Sequence, residues 1–166
     1  MNWLGELVQR EIAESDIVLD LGCGIMQAIK GLKCKNILAC DIWAPYLEQL
    51  KTEFQTVQID MSELNRFIDN SYDVVICLDV VEHLEKALAL NVLDELKRVC
   101  RKKAIVYTPR IFKYNLDAID NAWGLGHNPH QQHKCLVKIY ELRDRGYTVD
   151  VVGEDNGLLG VYSKWS

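Results

Sequence analysis

The chain has 166 residues, 49% hydrophobic and 26% charged, with a formal net charge of −5. This fits one domain over 1–166 with a sizeable core, and argues against a broad footprint on nucleic acid or an anionic membrane. No basic-then-apolar leader opens the chain and no apolar run nears the roughly 20 residues of a membrane span, so neither signal peptide nor anchor is expected. The cysteines (Cys23, Cys34, Cys40, Cys77, Cys100, Cys135) form no C-x-x-C pair. They read as reduced core residues, which points to a cytoplasmic location.

In chain order, "NWLGELVQREIAE" (2–14) predicts a helix and "IVLDL" (17–21) a strand. The glycines of "GCG" (22–24) follow, with a helix expected after them. "NILAC" (36–40) predicts a strand, "PYLEQLKTEF" (45–54) a helix with proline at its start, and "TVQI" (56–59) a strand. "SELNRFI" (62–68) predicts a helix capped by Ser62. "YDVVICL" (72–78) and "AIVYT" (104–108) read as buried strands, and "LEKALALNVLDELKRVC" (84–100) between them carries apolar residues at helical spacing. "CLVKIYELRDRG" (135–146) predicts a helix closed by Gly146. "YTVDVV" (147–152) and "LLGVYS" (158–163) are joined too tightly for a parallel crossover and predict an antiparallel hairpin. Alternation of strand and helix implies an α/β fold: a Rossmann-like, doubly wound, mostly parallel sheet of seven strands, its last strand antiparallel.

Chemistry concentrates at the strand ends. "VLDLGCG" (18–24) ends a strand in an acid and two glycines, which let a backbone turn sharply beside a ligand. A dinucleotide fingerprint would need a third glycine where Gln27 stands, which weakens a nicotinamide-dependent oxidoreductase reading. Asp20, Asp41, Asp60 and Asp79 each end a strand, on the edge where open parallel sheets bind ligands. A single such aspartate is as well explained by a turn or a cap. Four in register are not.

"VLDLGCG", "ACDI", "QIDM" and "YDVVICLDVVEHL" together resemble a class I S-adenosylmethionine-dependent methyltransferase. "LDVVEHL" (78–84) is similar to the fourth-strand region of the small-molecule, ubiquinone-type O-methyltransferase group. The resemblance implies S-adenosylmethionine as cofactor and S-adenosylhomocysteine as product. It assigns Asp20 to the methionine amino group, with the backbone of Gly22, Cys23 and Gly24 passing beneath. Asp41 would hold the ribose, Ile42 flank the adenine, and Asp60 and Met61 read its edge. Leu78 and Asp79 would lie along the methionine end. Met26 departs from the small residue often found at that position.

Methyl transfer from a sulfonium requires alignment and exclusion of water, with a base only if the acceptor is a poor nucleophile. His83 and Glu82 are the nearest titratable groups, Glu82 also reading as a residue facing the start of the helix that follows. Asp79, Glu82 and His83 loosely resemble a divalent-ion cluster of some ubiquinone-type enzymes, but no metal ligands are assigned. A nucleic-acid base is disfavoured as acceptor, because "LDVVEH" stands where base amino-methyltransferases carry an Asn/Asp-Pro-Pro-aromatic motif. The basic residues 97–103 suit a solvated helix end.

Residues 109–134 run far beyond the usual connection of about 4–6 residues. They leave from the ligand edge of the sheet, so they are expected to form a lid over a small-molecule acceptor, lined by Arg110, Asn128, Gln131 and His133. Within "HNPHQQHKC" (127–135), Asn128, Pro129, Gln131 and His133 resemble an Asn-Pro-x-Gln-x-His element of some small methyltransferases. A zinc set of His127, His130, His133 and Cys135 can also be written, though Pro129 restricts the turn. His133, with His83, is the expected catalytic residue. A non-catalytic module that binds the cofactor or a partner protein stays open beside the enzyme. Nothing in the sequence names the acceptor or the oligomeric state.

Overall fold

The computed structural model describes residues 2–115, 119–120 and 122–164. Positions 116–118 and 121 of the expected lid lie outside the described residues.

A seven-stranded sheet runs in the order β3-β2-β1-β4-β5-β7-β6. Its strands are β1 (Ile17–Leu21), β2 (Asn36–Asp41), β3 (Gln55–Gln58), β4 (Tyr72–Leu78), β5 (Cys100–Thr108), β6 (Thr148–Val152) and β7 (Gly157–Ser163). The first five pair in parallel, and β7 runs antiparallel to both β5 and β6. The α/β, Rossmann-like expectation with its terminal hairpin therefore holds.

Strand alternation feeds two cores. Leu19, Leu21, Val75, Cys77, Ala104 and Val106 pack with Ala89, Val92, Leu93 and Leu96 of α3 (Lys86–Val99). The intervening Val18, Ala39, Val74, Ile76 and Ile105 face Leu4 and Val8 of α1 (Trp3–Gln9), and Leu47 and Leu50 of α2 (Ala44–Leu50). A strand covered on both faces must be apolar throughout, as the central segments are.

Three local expectations differ. Residues 22–35 form successive turns and no helix. Gly22, Gly24 and Met26 have φ of 75°, 50° and 56°, and three left-handed residues in five break a right-handed run. Over Met61–Arg66 the chain is a 3-10 helix capped by Asp60, not an α-helix capped by Ser62; Asp60 Oδ1 accepts from the Ser62 N–H at 2.7 Å. Of 135–146 only α4 (Ile139–Arg143) is α-helical. Upstream, the Lys134 and Cys135 N–H groups donate to the Glu82 carbonyl at 2.7 and 3.1 Å, which draws that backbone out of any helix. Gly146 closes α4 with φ 86°, as its position predicts.

Candidate active site

Parallel register brings the strand ends to one edge. Asp20 of β1 lies opposite Ala39 of β2 and Ile76 of β4, so the turns after all three strands open into one space. A cleft of about 640 Å³ occupies it. Asp20, Gly22, Cys23, Gly24, Asp41, Ile42, Asp60, Met61, Leu78 and Asp79 all line it, with His83, Asn128, Gln131 and His133. Arg110 is exposed and is not among the lining residues.

At the β1–β3 end, Asp41 does two things at once. Its Oδ2 accepts from the Gly24 N–H and its Oδ1 from the Trp43 N–H, both at 2.9 Å. These bonds lash the glycine turn to β2 while lone pairs remain for a ligand. The fit is close, since a Cβ on Gly22 would stand 2.2 Å from Val80 Cγ2. Burial raises the pKa of Asp41 above the usual carboxylate range, against the pull of its backbone donors. Asp20 is raised further, first by burial and then by the charge of Asp41. Asp60 is instead lowered, first by the Ser62 hydroxyl that it accepts.

At the β4–β5 end, Asp79 has φ 54°, uncommon for a residue with a side chain, and donates its N–H to the Tyr107 carbonyl at 2.9 Å. Glu82 sits in a 3-10 turn (Val81–His83), 2% exposed. It caps no helix: the residue before α3 is Glu85, and Glu82 Oε2 accepts from the Thr108 hydroxyl at 3.1 Å. Burial pushes Asp79 up to about 6 and raises Glu82 as well, with Asp79 adding to the rise. Among the described residues neither carboxyl has a cationic partner. His83 and His133 cross edge to face with ring centroids 4.8 Å apart. Burial, then the neighbouring His133, pushes His83 down to about 4, and burial lowers His133.

The long connection is built over this cleft. Pro129–Gln131 is a 3-10 turn whose N-cap, Asn128, is 1% exposed and accepts from the His130 N–H at 2.9 Å. Gln131 Nε2 donates to the Tyr46 hydroxyl at 3.2 Å. Asn115 Oδ1 accepts from the His133 N–H at 2.8 Å, while its Nδ2 donates to the Gln131 carbonyl. The possible zinc set does not assemble. Cys135 Sγ contacts the Val81 carbonyl and the His127 side chain is 64% exposed. Among the described residues, the metal-competent group is Glu82, His83 and His133.

Tyr46, Asn115 and Thr108 are the site residues that sequence reasoning missed. Thr108 alone had a signal, as a polar residue closing an apolar strand on the ligand edge. Tyr46 and Asn115 matter only through contacts with residues 85 and 16 positions away.

A protein family described as "Methyltransferase domain" matches residues 19–108, more than half of the chain. An uncharacterized protein of Methanocaldococcus jannaschii is 29% identical over 140 residues, covering 78% of this chain. The chain spans 60% of that relative's length. Among solved structures, the PH0226 protein of Pyrococcus horikoshii superposes with a TM-score of 0.68 at 20% identity, over 96% of this chain and 87% of its own. A SAM dependent methyltransferase from Archaeoglobus fulgidus gives 0.65 at 17%, over 96% and 94%. Magnesium protoporphyrin IX methyltransferase from Synechocystis, solved with bound SAH, gives 0.66 at 17%, over 98% and 80%. At such identities the structures share the fold. The family match runs from β1 to the end of β5 and includes Asp20, Asp41, Asp60, Asp79 and the 81–83 turn. On that match the chain belongs to the methyltransferase-domain family.

Proposed function

We propose that this protein transfers the methyl group of S-adenosylmethionine to a small-molecule acceptor, held between the β4–β5 end of the cleft and residues 109–134. The observation that carries this reading is the row of strand-end carboxylates on one cleft, with a left-handed glycine turn tied to Asp41. Asp41 accepts the ribose hydroxyls, and Asp60 with the Met61 N–H takes the adenine edge beside Ile42. The backbone of Gly22, Cys23 and Gly24 passes under the methionine portion, whose ammonium faces Asp20. Leu78 and Asp79 flank the end nearest the reacting methyl. Carboxylates without cationic partners favour a ligand carrying an ammonium and a sulfonium.

The sulfonium supplies an activated methyl, so the protein aligns the acceptor for in-line attack and excludes water. His133 and His83 are the titratable groups that face the acceptor, with Asn128 and Gln131 shaping the wall. The ubiquinone-type character of "LDVVEHL" supports an acceptor among small organic molecules. Free, buried cysteines suit a reducing, cytoplasmic setting, and among the described residues no helix is long and apolar enough to cross a membrane.

Calorimetric titration of the full chain tests the reading. S-adenosylhomocysteine is expected to bind at one equivalent and NAD not at all. Binding of NAD without binding of either adenosyl compound overturns it.

A further inference from the structure

The histidine-rich stretch 128–133 docks at both ends of the cleft. Its last residue, His133, crosses the ring of His83 at the β4 end, with centroids 4.8 Å apart. Its first residues dock at the β2–β3 end instead. Gln131 Nε2 donates to the hydroxyl of Tyr46, which belongs to α2. The Tyr46 ring packs edge to face on Trp43 at 4.6 Å, and the Trp43 N–H donates to Asp41 Oδ1. The 129–131 turn is therefore fastened to the same stretch of chain that carries Asp41 and Ile42.

His130 lies in the middle of that turn. Its N–H is held by Asn128 Oδ1 at 2.9 Å, and Asn128 is buried, so the backbone is fixed. His130 itself is exposed and lines the cleft. Its charge is felt at two carboxylates. Asp41 is governed first by burial and Asp60 first by the Ser62 hydroxyl, and at both His130 adds a downward pull. The two acids end neighbouring strands, joined where the Ile59 N–H donates to the Asp41 carbonyl at 3.0 Å. A ring that acts on both stands across the cleft from the β2–β3 end, and not at the His83 end.

We propose that His130 is a cofactor-binding residue, its imidazole packed against the adenosine portion while Asp41, Ile42 and Asp60 hold that portion from the sheet side. The inference rests on the methyl-transfer reading and deepens it, because it takes one contact to the cofactor from the long connection and not from a strand end. A flat ring offers a purine a stacking face, and its electropositive N–H edge suits a place facing two carboxylates. The histidine stretch then serves both halves of the cleft, His130 the adenosine and His133 the methyl end. The Gln131–Tyr46 bond must release for the cofactor to leave.

The test is calorimetric titration of the full-length chain with S-adenosylhomocysteine and with 5′-methylthioadenosine, which lacks the amino-acid end. Stacking of a base on an aromatic side chain corresponds to roughly 5- to 150-fold in affinity. His130→Ala is expected to weaken both ligands by the same factor within that range. His130→Phe, which keeps a ring, is expected to stay within about threefold of the wild type. His127→Ala, whose side chain is exposed outside the cleft, leaves both affinities unchanged. Circular dichroism confirms that each variant is folded. Wild-type affinity in folded His130→Ala overturns the inference alone, and so does a loss confined to S-adenosylhomocysteine, which would put the ring at the methionine end. A Phe variant as weak as the Ala variant overturns the ring contact. Failure of the wild type to bind either ligand overturns the methyl-transfer reading, and this inference with it.

Discussion

At the β1–β3 wall of the cleft, Asp20, Asp41 and Asp60 project from the ends of consecutive strands, and sheet pairing sets their spacing. At the facing wall, Asn128, Gln131 and His133 project from a segment that carries two three-residue 3-10 turns among its described residues. A few side-chain bonds hold that segment, to Tyr46 and Asn115, together with the backbone bonds at Glu82. The first wall inherits the stability of the sheet, and the second can open while the sheet stays intact. Such a division suits a cofactor that needs the same fixed cradle each cycle and an acceptor that must enter and leave.

Glycine substitutions give the largest contrast between the walls. Gly22→Ala places a Cβ 2.2 Å from Val80 Cγ2 at a residue with φ 75°. The left-handed conformation costs about 1–2 kcal/mol and the overpacking about 1–3 kcal/mol, so a loss of about 2–5 kcal/mol is expected in urea denaturation. In the long connection, Gly126 has φ 90° and a Cβ there meets nothing within 4 Å. Gly126→Ala is expected to cost only about 1–2 kcal/mol, the conformational part alone. Equal losses at the two positions would mean that the walls do not differ in packing.

The strand-end wall was largely legible in the sequence, because continuous apolar runs mark the buried strands and place Asp20, Asp41, Asp60 and Asp79 at their ends without any tertiary knowledge. Where that reading failed, the cause was local backbone. Nothing in "GIMQAIK" announces that Met26 takes a left-handed conformation, and a helix was the natural expectation. The other wall was legible in length and composition only. That Asn128 is buried as a cap, that Arg110 points away, and that His133 meets His83 all depend on contacts across dozens of residues, which no periodicity encodes.

A middle-sized effect is expected at Asp41. Asp41→Ala frees the Gly24 and Trp43 N–H groups and, on the proposed reading, removes a charged acceptor from the ribose hydroxyls. Hydrogen bonds to charged groups are worth about 1.5–3 kcal/mol, so S-adenosylhomocysteine affinity should fall roughly 10- to 100-fold in calorimetry. The pH dependence has a definite sign. The ionised carboxylate is the better acceptor, and burial raises its pKa. Affinity is therefore full above that raised value and declines as pH falls through it, at a higher pH than an exposed aspartate would give. Asp41→Ala should lose this acidic decline. A variant with wild-type affinity would remove Asp41 from the cofactor wall.

The smallest effect separates the walls most finely. Gln131→Ala deletes the bond from Nε2 to the Tyr46 hydroxyl but leaves the Gln131 carbonyl, which Asn115 holds, untouched. A neutral hydrogen bond contributes about 0.5–1.5 kcal/mol, which corresponds to a roughly 2- to 12-fold change in an opening equilibrium. The readout is hydrogen exchange at the Lys134 and Cys135 amides, whose acceptor is the Glu82 carbonyl across the cleft. Their protection should fall by that factor, while the amides of β1 and β4, buried on both faces, keep theirs. Tyr46→Phe removes the same bond from the other side. It should reproduce the effect, and the double variant should add little for the shared bond. Equal loss of protection in the sheet amides would show that the connection opens only when the whole domain unfolds, and the two walls would then be one cooperative unit.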